Sequence, residues 1–270
     1  SSDLNHSLSG RNDQEFQAGV ELIGCKGDKS DIEVLALAAE SLKICNAGDF
    51  RLEIGHVGFV MSLVEEIDEN PDVQDLIKLH IENKNYAALG SLLDTLKPSS
   101  TAQFLRNLPR LFGGKEVLSA AAPLCTNPQA REALDYLNMV YGKLCDLGLS
   151  NHVIIDLGMV HKNEYYTGVI FRGFIEGSGD VVISGGRYDT LLQRFGCDLP
   201  ATGFGVNVDS ITKIKLARNE VKPPLPPEFL VHAESGFETE ALKRIEELIQ
   251  DGVCSEFSVF SSLEEARDYA

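Results

Sequence analysis

From residue 14 the chain alternates. In QEFQAGVELIG the apolar Phe16, Ala18, Val20 and Leu22 fall on one side, and Gln17, Gly19 and Glu21 on the other. That is the period of a strand, and its apolar side is expected to pack on helices. Ser-Asp-Ile-Glu at 30–33 has the spacing of a capping box, and Val34, Leu35, Leu37, Ala38 and Leu42 follow at helical spacing up to Gly48. FRLEIG at 50–55 alternates again, so the first stretch predicts β-α-β. From about 57 to 147 the pattern changes to successive amphipathic helices, split by Asn-Pro, Asn-Lys-Asn, Pro-Ser-Ser and Gly-Gly. Asn127-Pro128 suits a cap followed by the first turn of the last helix.

Strand patterns return at 152–159, 165–174 and 180–186. GRYDTLLQRFG predicts a short helix, and TGFGVNVDSI a strand running into a helix. KPPLPPEF then holds four of the chain's ten prolines, the composition of a stiff extended linker. Beyond it FLVHA, a helix over 238–250, FSVFS and LEEARDYA read as β-α-β-α. The expected organisation is a core over residues 1–222, with a helical insertion at about 57–147, and the start of a small α/β domain over 223–270. The chain opens without a Met and stops inside a helical pattern, so it is expected to be part of a longer protein.

Composition narrows the function. Hydrophobic residues make up 43% and charged residues 24% of 270, as in an ordinary globular protein. Lys and Arg number 24 against 41 Asp and Glu, a net charge of −17. Such a balance opposes binding to nucleic acid, which rests on neutralising phosphates. No apolar stretch approaches the roughly 20 residues of a membrane helix, so neither membrane nor nucleic acid is an expected partner. The six cysteines are scattered without a CxxC pair, which fits a reducing, cytoplasmic setting and offers no zinc site.

The common catalytic and cofactor fingerprints are missing, and the six histidines are dispersed, so no catalytic group, cofactor or metal is expected. What stands out is the polar side of certain strands. Gln17, Gly19 and Glu21 place an amide, bare backbone and a carboxylate in a row. This is either a solvated face or a floor on which a cationic or N–H-bearing group could rest. Gly203, Gly205, Asn207 and Asp209 repeat the theme, where close approach of a ligand competes with a bulge or tight helix packing. Of the adjacent Tyr165 and Tyr166, strand alternation would send one to the core and one to the ligand side. Gly185-Gly186-Arg187 reads equally as a structural turn or as a clamp for a carboxylate. Together these residues suggest an antiparallel sheet with a small, polar, glycine-lined pocket.

Taken together, QEFQAGVELIG, the stretch from IIDLGMVHKNEYYTG to SGGRYDTLLQRFG, and PATGFGVNVDSI resemble the histidyl-tRNA synthetase-like fold, and more narrowly the regulatory subunits of short-form ATP phosphoribosyltransferase. The resemblance implies an α+β fold of the class II synthetase type, with an anticodon-binding-like domain beginning after the linker. It implies a non-catalytic chain that activates a short catalytic phosphoribosyltransferase subunit and conveys feedback inhibition by L-histidine. A homodimer within a hetero-oligomer is implied as well. Histidine would meet Gln17 and Glu21, be closed over by Tyr165 or Tyr166, and rest on Gly185, Gly186, Gly203 and Gly205; Arg11 would match a loop arginine of the second synthetase motif. The chain departs from working synthetases at Ser210, where they carry an arginine. It departs again at His161-Lys162-Asn163-Glu164, where they read Arg-Gly-Leu-Asp, and it is one residue shorter between Phe16 and Gln17. Two lost guanidinium groups remove charge that would offset phosphates during adenylate formation.

Overall fold

A computed structural model describes residues 15–46, 48–160, 165–221 and 226–270. The expectations for Arg11 and for 161–164 fall outside these. The chain divides into two compact units, the first ending at Arg218 and the second spanning Asn219–Ala270.

The first unit is built on a seven-stranded sheet. Its strands are β1 (Gln17–Ile23), β2 (Phe50–His56), β3 (Phe112–Gly113), β4 (Val153–Asp156), β5 (Val169–Ile175), β6 (Ile183–Arg187) and β7 (Ala201–Asn207), ordered β1-β7-β6-β5-β2-β4-β3. The helices are α1 (Asp28–Cys45), α2 (Val57–Ile67), α3 (Pro71–Glu82), α4 (Tyr86–Asp94), α5 (Ser100–Arg106), α6 (Lys115–Ala121), α7 (Pro128–Asp146) and α8 (Val208–Ala217). The segment 192–195 is a 3-10 turn rather than an α-helix.

The sheet is antiparallel except where β2 and β4 run parallel. The helical block explains that exception. Parallel neighbours need a long crossover, and α2 to α7 supply it, so the block is a connection the topology requires. The short β3 pairs with β4 and was not foreseen, since Gly113-Gly114 reads as a mere break.

Breakers in the sequence become caps. The Asn70, Asn85, Ser99 and Asn127 side chains each accept from a backbone N–H in the first turn of the following helix, with Pro71 and Pro128 entering directly after their caps. Asn127 also donates to Glu66 Oε2 at 2.6 Å, and Thr101 donates to the other oxygen of the same carboxylate. Glu66 of α2 thereby ties the starts of α5 and α7 together.

One face of the sheet is the core face. Leu52, Ile54, Phe171, Ile183 and Phe204 pack there among Val34, Leu35, Ala38 and Leu42 of α1 and Leu137, Val140 and Leu144 of α7, all buried. The apolar side of β1 departs from expectation: Phe16 is 63% exposed and Val20 40%. This strand is the sheet edge and pairs with β7 alone among the described residues. The expected capping box at Ser30 is also absent. Helix α1 starts earlier, from Gly27 at φ 94°, because Ser30 and Asp31 are drawn inward to a buried arginine.

The second unit contains β8 (Phe229–Val231), α9 (Glu238–Gln250), β9 (Ser255–Phe257) and α10 (Leu263–Tyr269), with β8 and β9 parallel. Ser262 and Glu265 form a reciprocal capping box at the start of α10.

Candidate functional site

The pleat sorts the residues of interest. Register pairs Glu21 with Gly203, Gly19 with Gly205 and Gln17 with Asn207, while Gly186 faces Gly203 and Ser184 faces Gly205. Residues 17, 19, 21, 184, 186, 203, 205 and 207 therefore share the face turned away from the helix core. The glycines on β7 are needed there. A Cβ on Gly203 would collide with the Glu21 carboxylate, and one on Gly205 with the Gln17 amide. The Glu21 and Gln17 side chains thus lie across bare backbone, and both residues are exposed, so the floor is open to solvent.

Gly185 is on the other face, contrary to its expected place in the pocket floor. It alternates with Gly186, and a Cβ there would stand 2.6 Å from Phe204 Cβ inside the core. Its bareness serves strand packing. Arg187 alternates to the core side as well and is no clamp for a ligand. It is buried and ion-pairs with Asp31 at 2.8 Å; it also donates to Ser30 Oγ at 2.6 Å, Gly27 O at 3.1 Å and Asp189 Oδ1 at 2.9 Å. This hub pins the start of α1 to the end of β6.

Its consequence is the position of Tyr188, the residue that sequence reasoning passed over. Tyr188 N–H donates to Ala201 O at 2.7 Å, and the neighbouring Asp189 N–H to Thr167 Oγ1 at 3.0 Å. So held, the Tyr188 hydroxyl donates to Glu21 Oε2. Burial, reinforced by that carboxylate, pushes the Tyr188 phenol well above its usual pKa, so it stays a donor. Continuing the even count 184, 186, 188 along the strand would have placed it on this face.

Tyr165 and Tyr166 do not split between faces. Strand β5 starts only at Val169, so alternation does not govern the pair. Their rings lie 4.5 Å apart, and Tyr188 stands 5.7 Å from Tyr165 in an edge-on contact. Three tyrosines therefore wall the Glu21 end of the floor, packed with Met159 and Ile170. Burial raises the Tyr166 phenol, and its contact with Tyr165 adds to this.

No residue on this face of β1, β6 or β7 carries a positive charge. Arg172 of the neighbouring β5 pairs with Ser184 and so shares this face; its guanidinium donates to Val160 O at 2.9 Å. Ser210 is buried in the first turn of α8, its N–H on Asn207 Oδ1 at 2.9 Å. A carboxylate, an amide and phenols can hold an ammonium or an N–H-bearing ring; they do nothing to neutralise a polyphosphate. No group of three or more His, Cys, Asp or Glu suited to a metal exists among the described residues.

Residues 3–211 match the histidyl-tRNA synthetase family. A curated ATP phosphoribosyltransferase regulatory subunit of Clostridium kluyveri is 37% identical over 270 residues, covering 99% of this chain and 69% of that protein. The chain belongs to this family. Within it, several relatives it matches are ATP phosphoribosyltransferase regulatory subunits, and it spans about two thirds of the length of two clostridial members, 69% and 64%. The crystal structure of an ATP phosphoribosyltransferase regulatory subunit/histidyl-tRNA synthetase from Bacillus halodurans is similar with a TM-score of 0.76 and 29% identity, over 94% of this chain and 66% of that one. The ATP phosphoribosyl transferase (HisG:HisZ) complex of Thermotoga maritima shares the fold, with a TM-score of 0.58 and 23% identity over 72% of this chain and 66% of that one. The α+β, class II synthetase-like architecture expected from the sequence is the one observed, with a mixed rather than wholly antiparallel sheet.

Proposed function

We propose that this chain is a non-catalytic regulatory subunit of short-form ATP phosphoribosyltransferase. It docks with the short catalytic subunit, permits its activity in the first step of histidine biosynthesis, and conveys inhibition by L-histidine. The observation that carries this reading is the floor itself, with Glu21 and Gln17 over bare glycine backbone, three tyrosines beside them and no cation on this face of β1, β6 and β7. The imidazole or ammonium of histidine suits the carboxylate and phenols. ATP activation would require positive charge where Ser210 and the floor offer none. The curated relatives bear the same regulatory name.

Histidine contacts Glu21, Gln17 and one or both of Tyr165 and Tyr166, with Gly186, Gly203 and Gly205 beneath; Tyr188 joins this set. Feedback then needs histidine to bind the inhibited arrangement of the complex more tightly than the active one, by about 1.4 kcal/mol for each tenfold of coupling. A homodimer within a cytoplasmic hetero-oligomer, without nucleic acid or membrane, completes the proposal.

Calorimetry with L-histidine and pyrophosphate exchange with histidine and ATP test it together. We expect saturable histidine binding, no exchange, and co-purification with a short catalytic phosphoribosyltransferase chain. Measurable exchange would make the chain an amino-acid-activating ligase instead.

A further inference from the structure

On the side of the sheet opposite the glycine floor, the start of α2 and one stripe of α7 border a cleft of about 180 Å³, lined by His56, Gly58, Gln129, Glu132, Ala133 and Tyr136. Positions 129, 132, 133 and 136 lie on one face of α7 by helical spacing. His56 ends β2 on the core side, alternating with Gly55, whose Cβ would meet Met159 beside the tyrosines. The cleft and the floor are thus separated by the sheet.

Its polar lining offers several acceptors and no positive charge. The Tyr136 hydroxyl hydrogen is committed to Asp31 Oδ2 at 2.7 Å, which leaves only oxygen lone pairs to offer. His56 Nδ1 is buried and has no hydrogen-bond partner. Burial, opposed by the Asp31 carboxylate, lowers the His56 pKa to about 4, so the ring is neutral, and in its Nε2–H tautomer Nδ1 accepts. Glu132 contributes a carboxylate and Gln129 an amide that can turn its oxygen to a donor, and no lysine or arginine is among the lining residues. A metal is the wrong occupant, since the cleft has one imidazole and one carboxylate and lacks the further ligand a metal site needs.

We propose that this cleft binds a small organic cation with several N–H donors, a primary ammonium on a short chain, held by His56 Nδ1, the Tyr136 hydroxyl oxygen and the Glu132 carboxylate. An unpartnered buried acceptor is destabilising, and an ammonium would satisfy it with charge-assisted bonds. Tyr136 is one hydrogen bond from Asp31 and hence from the Arg187 hub, so an occupant bears on the segment that positions Tyr188.

Two probes of equal charge test the idea on the whole chain: ethylammonium chloride, which has N–H donors, and tetramethylammonium chloride, which has none. We expect the amide resonances of Gly58 and Ala133 to shift saturably with ethylammonium and to stay still with tetramethylammonium. Glu132→Gln, an exposed substitution that spares the core, should weaken ethylammonium about tenfold, the loss of one charge-assisted bond. It should leave L-histidine binding unchanged, which separates this cleft from the glycine floor whether or not the floor takes histidine. Equal shifts with both cations, shifts scattered over the acidic surface, or an unaltered titration in Glu132→Gln would each overturn the proposal and leave water as the occupant.

Discussion

Glu21 and Arg187 show how the two faces of one sheet assign opposite work to charged residues. Glu21 lies over Gly203, in reach of the Tyr188 hydroxyl and of solvent. Glu21→Gln removes a charge without emptying any core volume, so thermal unfolding should move little. Histidine affinity measured by calorimetry should fall by about 2 kcal/mol, roughly thirtyfold; an unchanged affinity would remove Glu21 from the site. Arg187→Met is the converse. It strands Asp31, 2% exposed, as an unpaired buried charge and should cost about 3–5 kcal/mol in urea unfolding. His56 adds a pH dependence. Its folded pKa of about 4 lies below the unfolded 6.5, so the unfolded chain binds more protons between them. Stability from this residue is complete above pH 6.5 and declines as pH falls toward 4. Between pH 7 and pH 5 the wild type should lose roughly 1–2 kcal/mol more than His56→Gln, read from urea midpoints at the two pH values.

Elements were easier to read than their ends or partners. Periodicity located β1, α1, β2, the helical block, β7 and the β-α-β-α of the second unit, because each buries one stripe at a fixed period. Asn127-Pro128 also gave the start of α7 correctly. Asn127→Ala should cost about 1 kcal/mol from the lost cap. A further loss is expected because Glu66 would give up its bond from Asn127 Nδ2. Circular dichroism melts of Asn127→Ala against Asn70→Ala, whose cap lacks that second bond among those described, would resolve the difference. The capping box at Ser30 failed for a tertiary reason. Local spacing cannot see an arginine 157 residues away, and Arg187 claims the Ser30 hydroxyl and the Asp31 carboxylate. Tyr165 and Tyr166 failed alike: alternation was applied to residues that precede β5, where ring packing with Tyr188 decides.

Each of the two units has its own sheet and its own helices. The glycine floor draws all its described side chains from the first. Residues 1–218 alone should therefore unfold cooperatively and bind L-histidine within about twofold of the 270-residue chain, by calorimetry. Loss of binding on removing Asn219–Ala270 would mean that the second unit contributes to the site. The exposed apolar side of β1, with Phe16 at 63% and Val20 at 40% exposed, belongs to this scale too. Its sequence pattern is that of a buried strand, yet the edge position leaves it bare.

The order of amphipathic segments, the glycine spacing on β1 and β7 and the motif resemblance were fixed by the chain itself, since they depend on neighbours a few residues apart. Which strands touch, which face Gly185 and Arg187 serve, and that Tyr188 reaches Glu21 were decided only by the folded sheet. Those facts rest on pairings such as Glu21 with Tyr188, 167 positions apart, whose register no local period can encode.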